Sequence, residues 1–174
     1  MRNEVSVLEF AMAMEKEGKE FFSSAAKRVK KPETREILLE LAEWEERHYQ
    51  YLRSEKDAVE ATGTWLPTEP EAGVMGPKNK ANTVFGKRGE GRGPEPSLPI
   101  SELTSDMAIL RMAIFIERDL LEFYVKTAAT IGDGRGRQRF ISLAQWEGEH
   151  AAALDAQYQI LQRNLWADAE FAPF

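Results

Sequence analysis

The sequence predicts an all-α protein, four long helices arranged as two antiparallel hairpins joined by one long crossover. Three observations carry that prediction. Apolar residues recur at helical spacing over four long stretches. A segment rich in proline and glycine divides the chain near its middle. The octapeptide Leu41–His48, LAEWEERH, returns 102 residues later as Leu143–His150, LAQWEGEH, so the second half of the chain repeats the first.

Bulk properties narrow the class. A chain of 174 residues suffices for one well-cored domain. Hydrophobic content of 43% and charged content of 30% suit long amphipathic helices with a wetted face. The net charge of −6 argues against a nucleic-acid partner, whose binders are usually basic. No apolar run approaches the roughly 18 residues needed to span a bilayer. The start, Met1 to Val7, lacks the apolar core of a secretory signal peptide, so a cytoplasmic protein is expected. With no cysteine, disulfides, zinc–thiolate sites and iron–sulfur clusters are excluded.

The first helix is expected over about 3–29, with Val7, Leu8, Ala11, Met14, Phe21, Phe22, Ala25 and Val29 at helical spacing and Lys27, Arg28, Lys30 and Lys31 at its C-terminal end. Pro32 marks a short turn and suits the first position of the next helix. That second helix, about 33–61, presents Ile37, Leu38, Leu41, Trp44 and Leu52, and Gly63 and Pro67 end it. Six prolines and seven glycines then fall between Gly63 and Pro99, which reads as a crossover loop over about 62–101. A loop that long is reasonable if the second and third helices run parallel, because the chain must then return about 40 Å outside helical structure. Its lysines and arginines read as a solvated surface. The third helix is expected over about 102–131, with Met107, Leu110, Ala113, Ile114, Leu121, Tyr124 and Ala128 inward, and Gly132-Asp133-Gly134 as a glycine stop. The fourth, about 137–164, uses Phe140, Leu143, Trp146, Leu154, Tyr158 and Leu161. The aromatic-rich tail, 165–174, is expected to pack back on the bundle.

The repeat also carries the chemistry. Each octapeptide holds Glu-x-x-His, Glu45 with His48 and Glu147 with His150, and these are the only two histidines in the chain. Residues three apart lie side by side on a helix, so each pair shares the face of its neighbouring leucines. The same 102-residue offset superposes Glu15 on Glu117, Leu8 on Leu110, Ala11 on Ala113, Phe21 on Phe123 and Phe22 on Tyr124. Glu15 and Glu117 therefore sit within apolar faces, and all four helices aim a carboxylate inward near mid-length. A lone glutamate on a helix belongs to solvent, as Glu17, Glu20, Glu43, Glu46 and Glu149 are expected to. Trp44 and Trp146 read as core packing first, with electron relay as a lesser alternative. Tyr124 is a one-sided candidate to hydrogen-bond a ligand carboxylate or to act in redox steps. Four buried carboxylates would repel one another unless cations entered. Two divalent ions would cancel their charge. Carboxylate and imidazole without thiolate suit iron or manganese, with zinc as a substitute.

With two helices supplying Glu and two supplying Glu-x-x-His, the arrangement resembles the rubrerythrin and ferritin-like family, as a single-domain member without a rubredoxin module. The motifs are Met14-Glu15-Lys16-Glu17-Gly18 with Phe21-Phe22, the two octapeptides, and Glu117 to Tyr124, ERDLLEFY. The resemblance implies a ferritin-like bundle with two irons per chain on Glu15, Glu45, His48, Glu117, Glu147 and His150, Glu45 and Glu147 or their counterparts bridging. It implies an oxidoreductase acting on dioxygen or hydrogen peroxide, or else iron storage or transport, or a metal-stabilised scaffold. A homodimer is common among such bundles. Two departures stand out. Rubrerythrins carry a further glutamate one turn after the third-helix ligand, where this chain has Leu120. With no cysteine-bound iron, electrons would have to come from a separate donor protein.

Overall fold

In the computed structural model, which describes residues 2–67 and 99–168, four α-helices make up the architecture. They are α1 (Arg2–Ala26), α2 (Pro32–Thr62), α3 (Ile100–Thr130) and α4 (Gly134–Asp168). Each hairpin packs tightly within itself, and the two hairpins meet through α1 against α3 and α2 against α4. No described helix is long and apolar enough to cross a membrane.

Side-chain bonds fix the relative directions. Asp106, near the start of α3, accepts the backbone N–H groups of Lys30 and Lys31 just beyond α1, so α1 and α3 are antiparallel. The Gln157 amide late in α4 donates to the Thr34 hydroxyl early in α2 at 3.2 Å. Arg139 early in α4 donates to Glu55 late in α2 at 2.8 Å, so α2 and α4 are antiparallel as well. With both hairpins antiparallel, α2 and α3 run parallel. The chain must therefore travel from one end of the bundle to the other between Thr62 and Ile100, as the long crossover requires. Residues 68–98 of that crossover lie outside the described residues.

The ends of the helices follow local chemistry. Pro32 occupies the first position of α2, and Arg35 reaches back to the Ala26 and Val29 carbonyls at 3.2 and 3.1 Å, satisfying groups left over at the end of α1. Because α1 stops at Ala26, the basic run from Lys27 lies beyond its last turn. Gly63 ends α2 in the left-handed region at φ 72°, its N–H bonded to the Val59 carbonyl at 2.9 Å. The turn at 131–133 differs from the glycine stop expected there. Ile131 is extended at φ −69°, and Gly63 is the one positive-φ glycine among the described residues. Asp133 does the work instead, its Oδ1 accepting the N–H groups of Arg135 and Gly136 at 2.7 and 3.0 Å. With that N-cap, α4 starts three residues early. It also continues through Asp168, so Trp166 is an exposed helical residue, not part of a folded-back tail. The expectation for 169–174 falls outside the described residues.

Two apolar clusters flank the mid-plane of the bundle. One gathers Phe22, Ile37, Leu38, Leu41, Leu110, Ala113, Leu154 and Leu161; the other gathers Leu8, Leu52, Leu120, Tyr124, Phe140 and Leu143. Between them lies a polar layer.

Candidate metal centre

That layer is built from one carboxylate per helix. Glu15, Glu45, Glu117 and Glu147 are each 0% exposed, as is His48, and His150 is 3% exposed. Helical spacing puts them there: Glu15 lies one turn from buried Ala11, and Glu45 lies one turn after buried Leu41 and two turns before buried Leu52. The structure thus brings together all six residues singled out in the sequence. They form two overlapping groups whose donor atoms lie within 4.8 Å of one another. Glu15, Glu45, His48 and Glu147 make one, and Glu45, Glu117, Glu147 and His150 make the other. Glu45 and Glu147 belong to both.

Both imidazoles turn Nδ1 toward the carboxylates. His48 Nδ1 lies 3.1 Å from Glu147 Oε1 and 3.5 Å from Glu15 Oε2. His150 Nδ1 lies 3.0 Å from Glu147 Oε2, 3.6 Å from Glu117 Oε2 and 3.8 Å from Glu45 Oε1. Glu147 therefore spans the two rings with one oxygen each. Tyr124, fully buried, donates its hydroxyl to Glu15 Oε1. Burial, followed by the charges of Glu15 and Glu147, pushes the phenol well above its usual range and keeps it a donor. Phe22 occupies the matching place in the first hairpin, so Glu117 has no such donor.

The electrostatics of this layer are those of four carboxyl groups and two imidazoles buried together. Burial is the largest force on Glu45, and together with Glu15 and Glu147 it holds that carboxyl well above the usual range. Glu117 is pushed up to about 8, chiefly by burial, with Glu147 adding to it and His150 partly offsetting it. Burial also raises the cost of ionising Glu147, but the two histidines outweigh it and hold that carboxylate well below the usual range. His150 shows the reverse balance: burial opposes its charge, yet Glu117 and Glu147 hold it up at about 9. His48 is likewise raised, by Glu147 and Glu15 against burial. Both oxygens of Glu45 and of Glu117, with Glu15 Oε2, have no aligned hydrogen-bond donor. Such a concentration of buried carboxylate oxygens without donors calls for a cation or proton to satisfy them. Oxygen and nitrogen donors, converging and unsatisfied, fit metal ions, and these buried groups could hold them.

Three further buried polar groups escaped the sequence reading. Glu55 and Arg139 form an ion pair at 2.8 Å, each bonded in addition to the backbone of Leu66. Asp106 caps the first hairpin turn. No spacing signal marks them, because their role depends on partners far off in sequence. Gly18 is the other surprise: a Cβ there would stand 3.5 Å from the Glu45 carboxylate, so this residue leaves α1 room beside the carboxylate layer. Gly18 and Leu120 hold equivalent places one turn after Glu15 and Glu117. Neither helix offers a further carboxylate there.

A four-helix bundle with two hairpins, one long crossover and a mid-plane of Glu and Glu-x-x-His defines the ferritin-like class. The match extends to sequence: residues 3–159 fit the ferritin-like domain, and the chain belongs to that family. A solved structure, a hypothetical protein from Pyrococcus furiosus, is similar in fold, with a TM-score of 0.63 and 22% identity over 92% of this chain and 90% of that one. No curated protein matches the chain significantly.

Proposed function

We propose that the chain is a di-iron carboxylate oxidoreductase that reduces dioxygen or hydrogen peroxide, in the manner of rubrerythrin-like proteins. The observation that carries this reading is the pair of overlapping four-residue groups sharing Glu45 and Glu147. Glu15 and His48 would complete one metal position, and Glu117 and His150 the other, with Glu45 and Glu147 bridging. Four carboxylates match the charge of two divalent ions, and two neutral imidazoles complete the shells. Iron or manganese suits these donors, with zinc as a substitute. When bound, two adjacent irons would supply the electrons that cleave an O–O bond.

The surrounding residues support that chemistry. Tyr124 orients Glu15 by holding Oε1, which leaves Oε2 facing the His48 ring. It also keeps a proton beside the ligand layer. The apolar clusters on either side, including Leu120 at 1% exposure, exclude water and keep the local dielectric low. Leu120 also removes the extra glutamate of rubrerythrins, so no carboxylate can move in from α3 when the charge on the metals changes. Electrons would come from a separate one-electron donor protein.

The test is to load metal-free protein anaerobically with Fe(II), count the bound iron, and expose it separately to dioxygen and hydrogen peroxide. The expected result is two irons per chain, oxidised by at least one of the oxidants. Fewer than two irons, or no oxidation with either, refutes the proposal.

A further inference from the structure

The two octapeptides place four aromatic rings in a row across the bundle. Trp146 of α4 stacks on His48 of α2, with centroids 5.4 Å apart and planes at 17°. His48 stacks on His150 of α4, also at 5.4 Å and 17°. His150 in turn faces Trp44 of α2, at 6.5 Å and 39°. The row thus runs Trp146, His48, His150, Trp44, with an indole at each end and the two ligand imidazoles between. It follows the internal repeat, and a symmetric pair of routes into the site would be the simple expectation.

The two ends differ in three ways. The Trp146 stack is closer and nearly coplanar, whereas the Trp44 ring is tilted and farther from its histidine. Trp146 is partly exposed, whereas Trp44 is buried at 6%. The guanidinium of Arg47 lies over the Trp44 ring at 4.3 Å from its centroid. A cation on the ring face is attracted to the electron-rich indole and repelled by an indole that has lost an electron. Trp44 is therefore hard to oxidise. Trp146 instead has the Tyr51 ring against its edge at 6.2 Å. That neighbour is neutral and adds no such penalty.

Building on the oxidoreductase reading, we propose that Trp146 is the electron relay of the metal centre and that Trp44 is not. An electron would pass from the Trp146 indole through the stacked His48 ring to the metals that these residues would hold. A one-electron donor protein docked at the exposed edge of the indole then refills it. Each transfer would take one electron from the donor and return Trp146 to its starting state, so two transfers would supply the two electrons that, with two protons, reduce dioxygen to peroxide or peroxide to water.

The experiment uses the full chain in a Trp166→Phe background, which removes an indole that is 41% exposed. A flash-generated ruthenium(III) polypyridyl complex withdraws one electron with no dioxygen or peroxide present. In iron-loaded protein the rate of ferrous oxidation should fall by an order of magnitude in Trp146→Phe and stay unchanged in Trp44→Phe. Trp146→Tyr, which keeps a stacked oxidisable ring, should restore most of it. Bound Mn(II) per chain should be the same in all variants, and Trp44→Phe, which shrinks the more buried ring, should lower the melting temperature at least as much as Trp146→Phe, which separates a relay from a packing role. In metal-free protein, the yield of tryptophan radical should fall in Trp146→Phe alone. Equal rates in Trp146→Phe and the parent, or a greater loss in Trp44→Phe, overturns the relay while leaving the di-iron reading intact. A chain that binds no iron overturns both.

Discussion

Glu117 provides the most direct test of the charge layer. Its carboxyl is pushed from the ordinary 4.5 up to about 8 by burial, so in the folded, metal-free protein it holds its proton across that range. The unfolded chain releases that proton near 4.5. Between these values the folded state binds more protons, so stability is full below about 4.5 and is lost as pH rises toward about 8. The displacement corresponds to about 5 kcal/mol. His150, raised from 6.5 to about 9 by Glu117 and Glu147, titrates together with Glu117 and acts in the same direction, its share lost as pH rises between those values. Glu45 and His48 are raised too and act in the same direction. Glu147 is held low, so its contribution is present above the ordinary carboxylate range and is lost only as pH falls below it. The metal-free protein should therefore be most stable near pH 5 and lose several kcal/mol by about pH 9, a fall measurable by urea unfolding. Glu117→Gln should remove most of the loss between about pH 5 and pH 8. Bound divalent ions should reverse the trend, because they compete with protons for the same atoms and bind more tightly as pH rises. Stability that stays flat or rises with pH in the metal-free protein, or an unaltered slope in Glu117→Gln, would refute the reasoning.

Other substitutions probe the neighbouring contacts. Tyr124→Phe deprives Glu15 Oε1 of its donor and should destabilise the metal-free protein by about 1–3 kcal/mol in urea titrations, with Mn(II) still bound at the same stoichiometry. Arg139→Met leaves Glu55 charged and buried, and should cost about 3–5 kcal/mol; the double variant Glu55→Leu/Arg139→Met should recover most of it. Gly136→Ala puts a Cβ within 2.6 Å of the Trp65 indole and should lower stability by about 1–3 kcal/mol, read from thermal melting. Gly132→Ala is its control: its Cβ meets nothing within 4 Å, and the melting temperature should not fall.

The layer of carboxylates and imidazoles was legible because the chain states it twice. A 102-residue offset with Glu-x-x-His in both copies, on faces otherwise apolar, leaves little choice about where those side chains point. The helix ends were harder. Asp133 looked like part of a glycine turn, yet its carboxylate caps α4 and sets that start, a matter of one side chain's direction. Trp166 looked like tail, yet nothing local stops α4 before it.

Sequence by itself determined four helices, their pairing into hairpins and the six side chains facing the mid-plane, since all of these follow from helical period, breaking residues and an internal repeat. Tertiary structure alone decided how the repeat is broken. The hydroxyl of Tyr124 reaches Glu15 while Phe22 has none to offer, and Arg47 covers Trp44 while Trp146 stays partly open. It alone also decided that Glu55, Asp106 and Arg139 are buried, because partners 73 to 84 residues distant offset the cost of burying them. Period and spacing describe one helix at a time. Which polar group is tolerated in the core depends on what the facing helix presents to it.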